Sequence, residues 1–263
     1  MSSFLSSAMR LALPAAVLAG FTHAHAAQVF VTVNVQSLVP ANSVAFARLH
    51  LGFHDGDFDA FNLGGVATAP IISVAEGGIG TAWQAAFAAA EPNATRGVIG
   101  AGQLLPGQAQ SATFTVDTTL NPFFTFAAMV VPSNDFFMGN DSPTQYRLLD
   151  AAGNVLISSI VVKANQIWDA GSEVHDPAAA AFVGNNDLRT PQGSVVALNF
   201  AEFAAFNGLT TAAGYTFNSA LTANSDMYRI SFSAVPVPEP GSFALLAAGL
   251  LGVGWLARRR RAS

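Results

Sequence analysis

The chain runs to 263 residues with no cysteine, 51% apolar residues, 21 Phe and a formal charge of −5. Between Ala27 and Val235 the cations are Arg48, Arg96, Arg147, Lys163, Arg189 and Arg229, all other Arg and Lys lying near the ends, and the surplus of Asp and Glu there is larger than in the whole chain. Such an acidic stretch repels phosphate backbones and argues against a nucleic-acid partner, while it suits divalent cations; without disulfides, its stability must come from the core and from any bound metal.

In chain order, the first element is a leader. Arg10, the apolar run Leu11 to Phe21 and Ala24-His25-Ala26 form the charge, hydrophobic and small-residue regions of a secretory signal, residues 1–26, too short and too broken by Pro14 and Gly20 to span a bilayer. From Gln28 the sequence alternates with period two, Val29, Val31, Val33 and Val35 on one face and Phe30, Thr32 and Asn34 on the other, which predicts a strand with one face buried. Val44 to Phe53 reads as a second strand ending in the polar loop His54-Asp55-Gly56-Asp57, and Ala82 to Ala90 as a helix stopped by Pro92-Asn93. Further strands are predicted at Ser111–Val116, Phe123–Val131, Gln145–Leu149, Val155–Val162, Val195–Phe200 and Met227–Phe232. Many short strands separated by Gly, Pro, Asn and Asp make residues 27–235 an all-β domain, an antiparallel β-sandwich with a short helix.

After the stiff linker Val235-Pro236-Val237-Pro238, the sequence reads Val237-Pro238-Glu239-Pro240-Gly241-Ser242, an apolar stretch from Phe243 to Ala257, and Arg258-Arg259-Arg260-Arg261. Arginines resist translocation, so this order leaves the preceding domain outside and predicts a short, processable hydrophobic helix. The segment 236–263 resembles the PEP-CTERM sorting signal, with Pro238, Glu239 and Pro240 as its motif. That resemblance implies an exosortase-type sorting enzyme as partner, a Gram-negative source that makes extracellular polysaccharide, transient anchoring in the inner membrane through the helix, and delivery to the cell surface, outer membrane or extracellular matrix.

Two loops concentrate oxygen donors. Val131-Pro132-Ser133-Asn134-Asp135-Phe136-Phe137-Met138-Gly139-Asn140-Asp141 carries a strand into a polar loop with two carboxylates, and Trp168-Asp169-Ala170-Gly171-Ser172-Glu173 offers two more, four residues apart around a glycine. Calcium takes six to eight oxygens from carboxylates, amides and main-chain carbonyls of flexible loops. On chemistry alone, these loops fit either such a site or solvated acidic turns. Asp141, before Ser142-Pro143, is equally a second-tier ligand or a turn residue.

These segments resemble the spondin domain of F-spondin and mindin. Ser133 to Gly139 is similar to that family's Ser-Pro-Asp-Trp-Phe-Val-Gly loop, and Trp168 to Glu173 to its Tyr-Asp-Ala-Gly-Thr-Asp loop; His50, His54, Phe58, Phe61, Gly65, Ile71, Ser73, Ala75, Glu76, Gly77 and Gly78 follow its opening pattern. The resemblance implies a sandwich like those of calcium-dependent phospholipid-binding domains, with Ca2+ held by Asp135, Asp169 and Glu173 and by main-chain oxygens. Glu173 departs from the family pattern, which has Asp there, and the family's cysteines are absent.

Other constellations are weaker. His54-Asp55-Gly56-Asp57-Phe58-Asp59 begins like a helix-loop-helix calcium loop but lacks its terminal glutamate. His50, His54 and Asp55 with Ser133 or Ser172 match no nucleophile elbow or zinc helix, and the histidines read as structural hydrogen-bonders at a strand end. Gly77-Gly78-Ile79-Gly80 lacks the lysine of a phosphate loop and reads as a turn. Gly184 to Pro191 is either a recognition loop or a set of Asn-rich turns. The sequence thus predicts a non-enzymatic, exported, calcium-binding domain acting in cell-surface or biofilm-matrix adhesion toward an extracellular polysaccharide or surface protein. The alternatives are an extracellular hydrolase of matrix polymers or a structural matrix component.

Overall fold

Strand β1 (Gln28–Ser37) buries Val29, Val31, Val33 and Val35 and turns Phe30, Asn34 and Gln36 outward, as its period of two requires. These are the first residues resolved in a computed structural model that describes residues 28–238, 248–252, 255 and 258–259. The predicted leader and the motif residues Glu239 and Pro240 lie outside the described residues. Of the predicted helix 243–257, the described positions 248–252 and 255 are helical. Among the described residues, no helix is long and apolar enough to cross a membrane.

The remaining elements follow as β2 (Ala45–Phe46), β3 (Leu49–His54), α1 (Ala69–Ala75), α2 (Thr81–Ala90), β4 (Thr95–Ile99), β5 (Ala109–Asp117), β6 (Phe123–Val131), β7 (Phe136–Gly139), β8 (Ser159–Lys163), β9 (Trp168–Asp169), β10 (Ala197–Leu198) and β11 (Asp226–Pro236). They form two antiparallel sheets. One has the order β5-β1-β11-β8; the other has β10-β9-β7-β6-β3-β4, with β2 also on β6. Between them lies the main core, where the valines of β1 meet Leu49, Leu51 and Phe53 of β3 and Phe124, Phe126, Ala128 and Val130 of β6. The fold is an all-β sandwich, as the sequence predicts.

A second core explains the unbroken apolar run of β6. Its other face, with Ala127, is covered by α1 and α2, whose Ile71, Val74, Trp83 and Phe87 pack with Phe58, Phe61 and Phe137. A strand buried on both faces shows no alternation. Gly52 on β3 admits this layer: a Cβ there would stand 1.7 Å from the Phe87 ring, so only glycine lets α2 lie flat on the sheet.

The departures from the predicted strands have local causes. Val44–Phe53 is not one strand but β2 and β3, broken at Ala47-Arg48 where Ala47 N–H bonds to Met129 O. Gln145–Leu149 makes only isolated bridges, Phe123↔Arg147 and Leu149↔Val155. Asp150 Oδ1 accepts the N–H groups of Ala152 and Asn154 and turns the chain back before a ladder can form. Val155–Val162 shortens to β8, which pairs with β11 only up to Ser159↔Ser231, and Val195–Phe200 shortens to β10.

Candidate metal centre at two loops of the sandwich

The turn after β6 is tied by Ser133, whose Oγ donates to Val130 O at 2.6 Å and accepts from Phe136 N–H at 3.0 Å. This brings β7 back against β6 and sets Asp135 immediately before it. β9 pairs with β7 so that Asp169 stands opposite Phe136, and Ala170 N–H donates to Asp135 O at 3.2 Å. The fold therefore places the two predicted aspartates side by side, although 34 positions separate them in the chain.

Asp135 is 2% exposed. Its Oδ2 accepts from Ser172 N–H at 2.7 Å, Glu173 N–H at 3.0 Å and Ser172 Oγ at 3.2 Å. Burial, then the charge of Asp169, pushes its carboxyl up to about 6 despite those donors. Asp169 accepts Gly171 N–H on Oδ1 at 2.8 Å and Asn199 Nδ2 on Oδ2 at 3.1 Å. Gly171 has φ +64° and lies so close to Ser194 that a Cβ would approach within 2.9 Å, which fixes the loop against its neighbour. Among the described residues, no Lys, Arg or His nitrogen pairs with either carboxylate.

Glu173 enters the site through its main chain. Its carboxylate, 5% exposed, turns to Arg189 Nη1 at 3.2 Å, and the same Nη1 stands 3.3 Å from Glu76 Oε2 at the end of α1. Burial and then Glu76 push the Glu173 carboxyl up to about 7, against the pull of Arg189. Among the described residues, no three His, Asp or Glu side chains converge on one metal position. Asp141 follows the opposite end of β7, where its Oδ1 accepts Leu63 N–H at 2.9 Å in a turn role.

Several participants lie beyond sequence reasoning. Asn199 Nδ2 also reaches Glu202 Oε1 at 2.8 Å, and Glu202 Oε2 meets His175 Nδ1 at 2.9 Å. With Gln192 and Ser194, Glu202 and His175 line a cavity of about 310 Å3 beside Asp169. The 184–191 segment serves the site structurally: Thr190 O accepts Val174 N–H at 2.9 Å and holds Arg189 in place.

His50 and His54 are buried. His54 Nδ1 stands 3.2 Å from Glu91 Oε1 and Nε2 2.9 Å from Thr125 Oγ1, and burial pushes its pKa down. His50 Nε2 faces Gly78 O at 3.4 Å. Among the described residues, the acids of the His54–Asp59 loop form no metal cluster; the Asp55 carboxyl hydrogen-bonds Glu91 instead. Glu91, unremarked in the sequence, also accepts the N–H groups of Gly56, Asp57 and Phe58 on one oxygen and Asp55 N–H on the other.

The ligating atoms that Asp135 and Asp169 offer are all oxygen, and among the described residues buried Asp135 and half-buried Asp169 have no counter-ion, so these residues fit a hard divalent cation better than zinc. Glu173, as placed, does not contribute its carboxylate.

Comparison with known proteins agrees with this architecture. The PEP-CTERM protein-sorting motif matches residues 236–261, making this an exported protein that an exosortase-type enzyme processes and directs to the cell surface. No curated protein matches the chain. The Spondin_N family model matches residues 34–199, from the middle of β1 to just beyond β10 and across both loops of the candidate centre. With well over half its length covered by that match, the chain belongs to the Spondin_N family.

Proposed function

We propose that the sandwich is a non-enzymatic, calcium-binding adhesion domain displayed at the cell surface or in the surrounding matrix, its C-terminal helix serving as a transient inner-membrane anchor before processing. One observation carries the metal reading: Asp135, buried and facing Asp169, has no cation partner among the described residues. Burying a carboxylate beside another costs several kcal/mol unless a positive charge offsets it. Asp135 and Asp169 would hold the ion with main-chain oxygens of the same loops. Bound calcium would supply that charge and join the two loops. Glu173 could join only by leaving Arg189.

An adhesion role is supported by the export signal and by the setting of the site, on loops fixed by β7 and β9 and bordered by a polar cavity open to hydroxyl-rich or polar partners. The partner class proposed is an extracellular polysaccharide or a surface protein.

Thermal melts with calcium and with chelator test the metal reading. Calcium at a hundred times its Kd should stabilise the protein by about 2.7 kcal/mol, and Asp169→Ala should abolish the gain. An unchanged melt at saturating calcium removes the proposal.

A further inference from the structure

At the C-terminal end of α1 lies a second cavity, of about 360 Å3, within the size range of small-ligand sites. It is bounded by the Ala47-Arg48 break between β2 and β3, the turn Glu76-Gly77-Gly78-Ile79, and Phe182. Met129 and Val131, each 2% exposed, form its apolar floor. Gly78 closes onto the strand break so tightly that a Cβ would stand 2.6 Å from Ala47 Cβ, which leaves main-chain groups at the wall.

Two features mark it as more than a packing gap. Arg48 is half-buried, and among the described residues it has no carboxylate within 4.0 Å and no hydrogen-bond partner; half-buried Arg229 shares that state, but Arg48 has a cavity beside it. Glu76, the acid on the same rim, is engaged by Arg189. A partly desolvated guanidinium without a partner is costly, and a carboxylate is its natural complement because two N–H groups can meet two oxygens. Phe182 also holds φ at +81°, a left-handed conformation that a bulky residue rarely adopts, fixed by Ala212 N–H on its carbonyl at 2.6 Å. Strain of this kind clusters at ligand clamps.

We propose that this cavity binds the C-terminal carboxylate of a peptide ending in an apolar residue. Arg48 takes the carboxylate, while Ile79 and Phe182, the accessible apolar side chains of the lining, take the side chain. The proposal stands independently of the metal centre.

N-acetylphenylalanine and its uncharged amide are the probes, titrated into the purified protein in chelator while amide NMR shifts are followed. The acid should bind, with shifts confined to Gly77, Gly78, Gly102 and Phe182, and the amide should bind roughly ten- to a hundredfold more weakly. Arg48→Gln should bring the acid down to the affinity of the amide, and its melting curve checks that the variant folds. The comparison of acid with amide on the unaltered protein decides the matter even if it does not. Equal binding of acid and amide, shifts elsewhere, or no shift at millimolar acid would each overturn the proposal.

Discussion

Asp135→Asn should make the metal-free protein more stable, not less. The carboxyl titrates near 3.8 when unfolded and is pushed up to about 6 in the fold, first by burial and then by Asp169. An acid raised in this way destabilises the fold wherever it is ionised: the penalty is absent below pH 3.8, grows through the window to 6 and is complete above it. Two pKa units correspond to about 3 kcal/mol. Asn keeps an acceptor for the Ser172 and Glu173 amides while removing the charge, so at pH 7 the variant should gain up to about 3 kcal/mol, or roughly 6–12 °C in Tm for a domain of this size. At pH 4 the gain should shrink to well under about 1 kcal/mol. Calcium should no longer stabilise the variant. The assay is a thermal melt at both pH values, in chelator and in calcium. A variant that melts at or below the parent at pH 7 in chelator, or a difference that does not shrink on acidification, would refute the reasoning.

Glu91→Ala strips the acceptor from the N–H groups of residues 55–58 and from His54. Because part of that loop can take water instead, the loss should be about 3–5 kcal/mol by urea unfolding, and a loss below about 1 kcal/mol would show that the loop does not depend on it. Gly52→Ala drives a methyl group into the Phe87 ring and should cost about 1–3 kcal/mol or more, with displaced α2 amide signals; a neutral result would mean that α2 is not seated on β3.

How much of this was legible depended on what each segment touches. β1 announced itself because one face is wet, and β6 because both are dry. α1 did not, since Pro70-Ile71-Ile72-Ser73-Val74-Ala75 is too short an apolar run to separate helix from strand. β7 was hidden inside a segment read as a polar loop, because it is only four residues long and its second pairing partner, β9, comes from about thirty positions further along the chain. At the centre, Asp135 and Asp169 stood out through their local motifs. The pull of Arg189 on Glu173 could not, because it depends on how the 184–191 segment packs against α1, with Glu76 lying 113 positions from Arg189. Glu91 gave only the sign of a helix end before Pro92; its role is set by the loop after β3, on the other side of α2.

The placement of β11 bears on how such a protein would carry load. It lies between β1 and β8, registered with β1 from Val29↔Pro236 to Ser37↔Tyr228, and the sorting tail leaves from its last residues. A pull on the tail therefore runs along the strand and loads its cross-strand hydrogen bonds together in shear, instead of peeling them one at a time. Lys163 faces Asp226 at the strand's other end, and from there the chain passes within six residues to Asp169. The tail and the candidate binding loops thus approach β11 from opposite ends, so before the tail is processed a pull between it and those loops would be borne by β11, an inner strand of the sheet.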